Sequence, residues 1–199
     1  MIDLLTKEES FYTDEIKVIC GVDEAGRGPL AGPVCAAAVI LEPHTVIPGL
    51  NDSKKLSEKK REELYDQICE QAISFGIAFG TVEEIENNNI LHATMLAMNR
   101  AIEQLEPVPD LAIVDGNYAK DILVPHETVV KGDSQCVSIA AASILAKVTR
   151  DRYMKDMAEM YPEYQFEKHK GYGTKAHYEA LRQYGPSPIH RNSFLKNMH

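Results

Sequence analysis

The chain has 199 residues, 44 % of them apolar and 26 % charged, which is the size and composition of one folded domain, or of one with a small appendage. No stretch nears the ~18 consecutive apolar residues of a membrane span. The first nine residues lack the basic region and long apolar core of a signal peptide, and none is expected. The four cysteines have no Cys-x-x-Cys spacing, which sets aside structural zinc and a disulfide framework and leaves a cytoplasmic enzyme or binding domain as the expectation.

Residues 1–16 are polar with weak periodicity and read as a short N-terminal extension ahead of a domain over 17–199. Lys17 to Asp23 is a buried-strand pattern that runs into a Gly/Pro-rich turn, Gly26 to Pro33. Val34 to Leu41 predicts a second strand, and Pro43 to Asn51 a loop. Ser57 is placed to cap a helix from about Glu58 to Ala72, and Ile73 to Phe79 reads as a third strand. Thr81 to Glu84 fits a capping box, and Ile90 to Leu105 is an amphipathic helix. Beyond Pro107 and Pro109, Leu111 to Asp115 is a short strand ending in an acid. Thr128 to Lys131 is another, ending at Gly132-Asp133. A long helix from about Ser134 to Met160 stops before Pro162, and Thr174 opens a last helix that Gly185-Pro186 closes. Early strands joined by a short turn predict an antiparallel pair; strands separated by helices predict parallel ones. The fold class is α/β, a mixed sheet with helices on its faces.

The net charge of −9 argues at first against a nucleic-acid partner, but the charge is unevenly spread. Residues 1–52 carry −6 and residues 62–146 carry −11, whereas residues 53–61 and 147–199 each carry +4. Two basic segments flank an acidic body. Lys54-Lys55 and Lys59-Lys60-Arg61 also fit the solvated start of a helix.

Three strands end in acids: Asp23-Glu24, Asp115 and Asp133. In open α/β sheets ligands bind at strand C-termini. Four gathered carboxylates repel unless a cation lies between them, and oxygen ligands without Cys or His point to Mg²⁺ or Mn²⁺. Two divalent ions would balance four carboxylates and suit two-metal phosphodiester hydrolysis. Asp at a strand end also simply starts a turn, and Asp133 also suits the positive end of the following helix. Asp23 and Glu24 point to opposite faces of a regular strand, so both ligate only if the backbone turns there. Gly26-Arg27-Gly28 lacks the features of a nucleotide-cradling loop; it permits close backbone approach to a substrate or makes a tight turn between strands. Tyr172 stands between glycines, placed either to stack on a sugar or base or to anchor its loop. His44, His92, His126 and His177 have no ligand spacing. Ser138, Ala140, Ala141, Ala142 and Ser143 read as small residues for close helix packing, or as a phosphate contact.

These residues resemble a family. Asp23 to Pro33, Asp52-Ser53-Lys54-Lys55-Leu56, Asp115-Gly116-Asn117, Lys131-Gly132-Asp133 and His169 to Thr174 are similar, in that order, to bacterial type 2 ribonuclease H over about residues 17–193. The resemblance implies a ribonuclease H-like fold with a helical C-terminal portion. It implies hydrolysis of RNA paired with DNA, and cutting 5′ of single ribonucleotides embedded in DNA, leaving a 5′-phosphate and a 3′-hydroxyl. By the same resemblance Asp23, Glu24, Asp115 and Asp133 are catalytic and hold two Mg²⁺ or Mn²⁺ ions. The backbone of Gly26, Arg27 and Gly28 reads the ribose 2′-hydroxyl, Tyr172 lies against the neighbouring sugar, and Lys54 and Lys55 face phosphates. Type 3 relatives lack the Gly-Arg-Gly turn and carry an extra N-terminal domain for which 16 residues leave no room. A hybrid-binding module without catalysis would need one of the four acids to be missing, and none is. A nuclease for ordinary DNA is disfavoured by the Gly-Arg-Gly turn. A monomer is expected, and the sequence is silent on any replication-clamp contact. One aromatic is too little to make Ser193 to His199 a docking tail, and a frayed terminus is the reading.

Overall fold

The computed structural model describes residues 4–51 and 53–196. Five strands form one mixed sheet in the order β3-β2-β1-β4-β5: β1 Ile19–Ala25, β2 Val34–Ile40, β3 Ser74–Gly80, β4 Leu111–Asp115 and β5 His126–Val129. β1 pairs antiparallel with β2, as their short connection predicts, and β1 and β4, with helices between them in the chain, are parallel as expected. Two pairings correct the expectation: β2 and β3 are antiparallel although the helix Glu58–Gln71 lies between them, and β4 and β5 are parallel although residues 116–125 hold no helix. Direction is set by the end of the sheet to which a connection returns, not by whether it is helical. Strand alternation divides the core in two. Cys35, Ala37 and Val39 join one apolar cluster, and Ala36, Ala38 and Ile40 the other.

The helices are α1 Thr6–Glu9, α2 Glu58–Gln71, α3 Val82–Asn87, α4 Ile90–Ile102, α5 Val137–Met160, α6 Phe166–His169, α7 Lys175–Tyr184 and α8 Asn192–Leu195. α4 covers one face of the sheet; α5, with α2 against it, covers the other. Close approach of α5 explains its small residues: a Cβ on Gly21 of β1 would lie 2.2 Å from the Ser138 carbonyl carbon. α6, α7 and α8 gather with the end of α5 around Tyr164 and Phe166, forming the helical C-terminal portion. None of the described helices is long and apolar enough to cross a membrane.

The predicted caps form. Ser57 accepts from the Lys60 amide (3.2 Å) and Thr174 from that of His177 (3.3 Å), and Thr81 and Glu84 make a reciprocal capping box. Several boundaries differ. α5 starts at Val137, because Gly132–Ser134 forms a 3₁₀ turn entered through Lys131 at φ 56°. α4 ends at Ile102, short of the expected Leu105, and Gln104 turns to bond the Ile77 backbone across β3. The polar extension packs down: Leu4 is in the core and Phe11 and Tyr12 lie on the cluster around Ile19. The expected fraying is also corrected for 193–196. α8 folds back, with Phe194 packed on the C-terminal cluster and Ser193 bonded to Glu86; residues 197–199 lie outside the described residues.

Candidate active site

The carboxylates come from neighbouring strands because β1 and β4 are parallel and end on the same edge of the sheet. β1 stays regular through both of its acids, with Asp23 opposite Ala37 and Glu24 opposite Ala36. The turn therefore comes only after Ala25, and the expectation that both acids need a bend at them is corrected: on a straight strand end each still lies near enough to Asp115 to feel its charge. Asp23 faces α5, where the Ser143 hydroxyl lies near enough to favour its charged form, and accepts from the Glu24 amide at 2.7 Å. Behind it, Ser143 Oγ meets the buried Ser53 Oγ at 2.9 Å, linking the Ser53-Lys54-Lys55 turn to α5. Asp52 lies outside the described residues.

Burial, together with the charges of Glu24 and Asp115, holds the Asp23 carboxyl well above its ordinary pKa. Burial also raises Glu24; Arg27 opposes that rise and Asp115 adds to it. Arg27 lies 3.4 Å from Glu24 Oε1, and Lys54 is close enough to act on the same carboxylate. Asp115 Oδ1 accepts from the Gly132 amide at 2.6 Å, which ties the end of β4 to the turn carrying Asp133. Asp133 itself is buried. The structure thus brings Asp23, Glu24 and Asp115 into one electrostatic cluster, with Asp133 adjoining in the chain behind Gly132. Among the described residues, no three His, Cys, Asp or Glu side chains are placed to hold one ion together. The donor set nonetheless fits a hard divalent cation, because burial first, and the neighbouring carboxylates second, disfavour the charged forms of Asp23 and Glu24, and a bound positive charge offsets both.

The Gly-Arg-Gly turn meets the tyrosine loop beside these acids. A Cβ on Gly28 would stand 3.7 Å from Tyr172 Cε1, and the ring is 44 % exposed. Leu30 donates to the Gly171 carbonyl at 2.8 Å, and a Cβ on Gly171 would lie 2.6 Å from the Ala31 carbonyl oxygen. Gly171, at φ 86°, is the glycine that this closeness requires; the 3.7 Å at Gly28 is an ordinary contact distance. A histidine relay, which spacing does not reveal, holds the tyrosine loop from beneath. The Ser187 amide donates to His190 Nδ1 (2.8 Å), so the other ring nitrogen of His190 carries the proton to His177 Nε2 (2.9 Å). His177 Nδ1 in turn donates to the Tyr172 carbonyl (2.9 Å). His177 is therefore structural, consistent with its lack of ligand spacing. Burial lowers both rings, His190 to about 4.

The two basic segments meet in space. Lys155 of α5 bonds Glu58 of α2 at 2.5 Å, Arg152 bonds Glu62, and Asp151 lies between Lys147 (2.7 Å) and Arg61 (3.9 Å). α5 also carries its own N-terminus on a carboxylate: the buried Glu8 accepts from the Ser138 amide and hydroxyl, both at 2.9 Å. Ser138 therefore packs and donates, and Glu8 does the capping, taking the place of the phosphate contact considered for this end of the helix.

Comparison with known proteins matches these features. A family model described as Ribonuclease HII matches residues 20–197. Ribonuclease HII of Caldicellulosiruptor saccharolyticus is 52 % identical over 191 residues, covering 96 % of this chain and 93 % of that one. The crystal structure of ribonuclease H2 from Pyrococcus horikoshii superposes with a TM-score of 0.75 at 26 % identity, covering 88 % of this chain and 93 % of that one. At 19 % identity, Bst-RNase HIII in complex with Mn²⁺ shares the fold, with a TM-score of 0.66 over 86 % of this chain and 64 % of that one. Matched nearly end to end, the chain belongs to the ribonuclease HII family, endonucleases that act on RNA in RNA–DNA hybrids.

Proposed function

We propose that this enzyme also cuts 5′ of a single ribonucleotide embedded in duplex DNA, leaving a 5′-phosphate and a 3′-hydroxyl. The observation that carries the reading is the Gly28–Tyr172 contact beside the acids that end β1 and β4. One ribose between the Gly26-Arg27-Gly28 backbone and the Tyr172 ring meets both at once, so recognition needs one nucleotide and not a continuous RNA strand. Lys54 and Lys55, on the side where the basic segments join, face the phosphates.

Asp23, Glu24, Asp115 and Asp133 would hold two divalent ions, Mg²⁺ or Mn²⁺; Bst-RNase HIII, with the same fold, is known with Mn²⁺. Bound there, such ions supply an activated water and a charge partner for the leaving 3′-oxygen. Among the chain's own groups, the Gly132 amide holds Asp115 in one orientation, the Glu24 amide does the same for Asp23, and Arg27 restrains Glu24. Tyr172 excludes water from one side of the sugar. The enzyme acts as a cytoplasmic monomer on nucleic acid.

The test is cleavage of a duplex with one embedded ribonucleotide, beside an all-DNA duplex and a continuous hybrid, with Mg²⁺, Mn²⁺ or EDTA. A metal-dependent cut immediately 5′ of the ribonucleotide, and none in all-DNA, is expected. Cleavage of the hybrid alone would remove the proposed role of the turn. No cleavage of either by folded protein would remove the role of the acids.

A further inference from the structure

The turn after β1 is held by two buried arginines that meet no carboxylate at ion-pair distance among the described residues. Arg191, fully buried, donates to the carbonyls of Gly26 (2.6 Å), Arg27 (2.9 Å), Pro29 (2.8 Å) and Gly32 (2.8 Å). Its own amide donates to Leu30 (2.8 Å). Arg150, from the middle of α5, donates to Ala31 (3.0 Å) and Pro33 (2.9 Å), and to Lys170 (3.0 Å) in the tyrosine loop. Of the carbonyls from Gly26 to Pro33, only that of Gly28 receives no such bond among the described residues.

A trans peptide unit is planar, with its C=O and N–H on opposite sides. Drawing the Gly26 carbonyl inward onto Arg191 therefore turns the Arg27 amide outward. Drawing in the Arg27 carbonyl turns the Gly28 amide outward as well. Neither amide has a hydrogen bond among the described residues, and Arg27 and Gly28 are both exposed. The Gly28 amide thus opens beside the ring of Tyr172. Gly26, at φ 97°, leaves the space that Arg150 occupies: a Cβ there would lie 1.9 Å from its Nε.

We infer that Arg191, assisted by Arg150, is a positioning residue for ribose discrimination: its guanidinium aims the Arg27 and Gly28 amides at the 2′-hydroxyl. This rests on the reading of the turn given above. Two buried cations side by side repel, yet neither is paired with an acid. What holds them is the fan of carbonyl dipoles, which only a planar guanidinium with five donors engages at once. Lysine keeps the charge and loses the fork.

The test is the ratio of dissociation constants for an all-DNA duplex and the same duplex with one ribonucleotide, in EDTA so that neither is cut. It is read for wild type and Arg191→Lys, each at least about 10 °C below its melting midpoint. Wild type should prefer the ribonucleotide about tenfold, the worth of a well-made polar contact, and the variant less than about twofold, with all-DNA affinity unchanged. Equal weakening on both duplexes, or an unchanged ratio, overturns the inference and leaves Arg191 as scaffold. A wild type without preference removes the reading of the turn and the inference together. Should Arg191→Lys not fold, Arg150→Lys, which releases the far end of the turn and Lys170, gives the same comparison with the same expected direction.

Discussion

Removal of Glu8 should show how far the N-terminal residues stabilise the catalytic domain. The N-cap of α5, Cys136, offers no side-chain acceptor, so the first amides of the longest helix depend on the segment before the domain. Val137 donates to the Leu4 carbonyl (3.1 Å), and Ser138 donates twice to Glu8 Oε2. In Glu8→Ala, two donors of a serine only 1 % exposed lose their acceptor. Each orphaned buried donor costs about 1–3 kcal/mol, and the lost charge at the helix N-terminus about 0.5–1 kcal/mol. Against this stands the desolvation of Glu8, whose carboxyl burial pushes above its ordinary range. A net loss of about 2–3 kcal/mol follows, and for a chain of this size a midpoint lower by roughly 4–12 °C. Glu8→Gln keeps an acceptor of the same reach and gives up only the charge, so it should lose less than about 1 kcal/mol. Urea denaturation of the three proteins at neutral pH measures the series. An alanine variant within about 0.5 kcal/mol of wild type, or a glutamine variant as damaged as the alanine, would refute the reasoning.

Three other outcomes are expected. Asp115→Asn should lose turnover on an RNA–DNA hybrid while melting at or above wild type, since the amide still accepts from Gly132 and one of three repelling charges is gone; near wild-type cleavage contradicts the assignment. Gly21→Ala should cost at least ~3 kcal/mol in urea denaturation, because its Cβ meets backbone atoms of Ser138 and Ile139 at 2.2 and 2.3 Å, and backbone cannot swing aside. His190 is neutral in the fold down to about pH 4, whereas the unfolded chain takes up its proton below about pH 6.5. Its contribution is thus fully present above about pH 6.5 and is lost as pH falls toward 4, by up to about 3 kcal/mol. His190→Gln should flatten that part of the stability–pH curve relative to wild type, and parallel curves would show that the ring does not titrate as described.

The sheet was legible because each strand and cap carries a local signal. The run from Ile19 to Asp23 is apolar, Thr81 and Glu84 have capping-box spacing, and Pro162 stops the long helix. The first residues were misjudged for a physical reason. The worth of Leu4 and Glu8 lies in contacts with Val137 and Ser138, some 130 residues away, and short-range periodicity carries no trace of such contacts. The same limit governed the turn at Asp23-Glu24. Gly26 and Gly28 permit a bend near the acids, yet pairing with β2 holds β1 straight through Ala25, and the chain bends only once that ladder ends.

The carboxylates could be read because strand ends are recognisable: β1 and β4 carry acids at theirs, while Asp133, expected at the end of a strand, stands in the 3₁₀ turn that follows β5. The residues that aim the turn could not. Arg150 sits at the centre of a helix whose charged neighbours, Lys147 and Arg152, form ion pairs with acids; Arg191 sits in a polar C-terminal stretch. In both places arginine is ordinarily a surface residue. Its burial is decided by what surrounds it in space, a loop whose glycines and prolines leave carbonyls without strand or helix partners. Such a loop needs donors that bring no competing acceptor, and guanidinium is the side chain with five donors and none. A run such as Gly-Arg-Gly-Pro-Leu-Ala-Gly-Pro, kept in one conformation, therefore demands buried arginines from elsewhere in the chain. That demand is the sequence-level signal by which Arg150 and Arg191 can be sought.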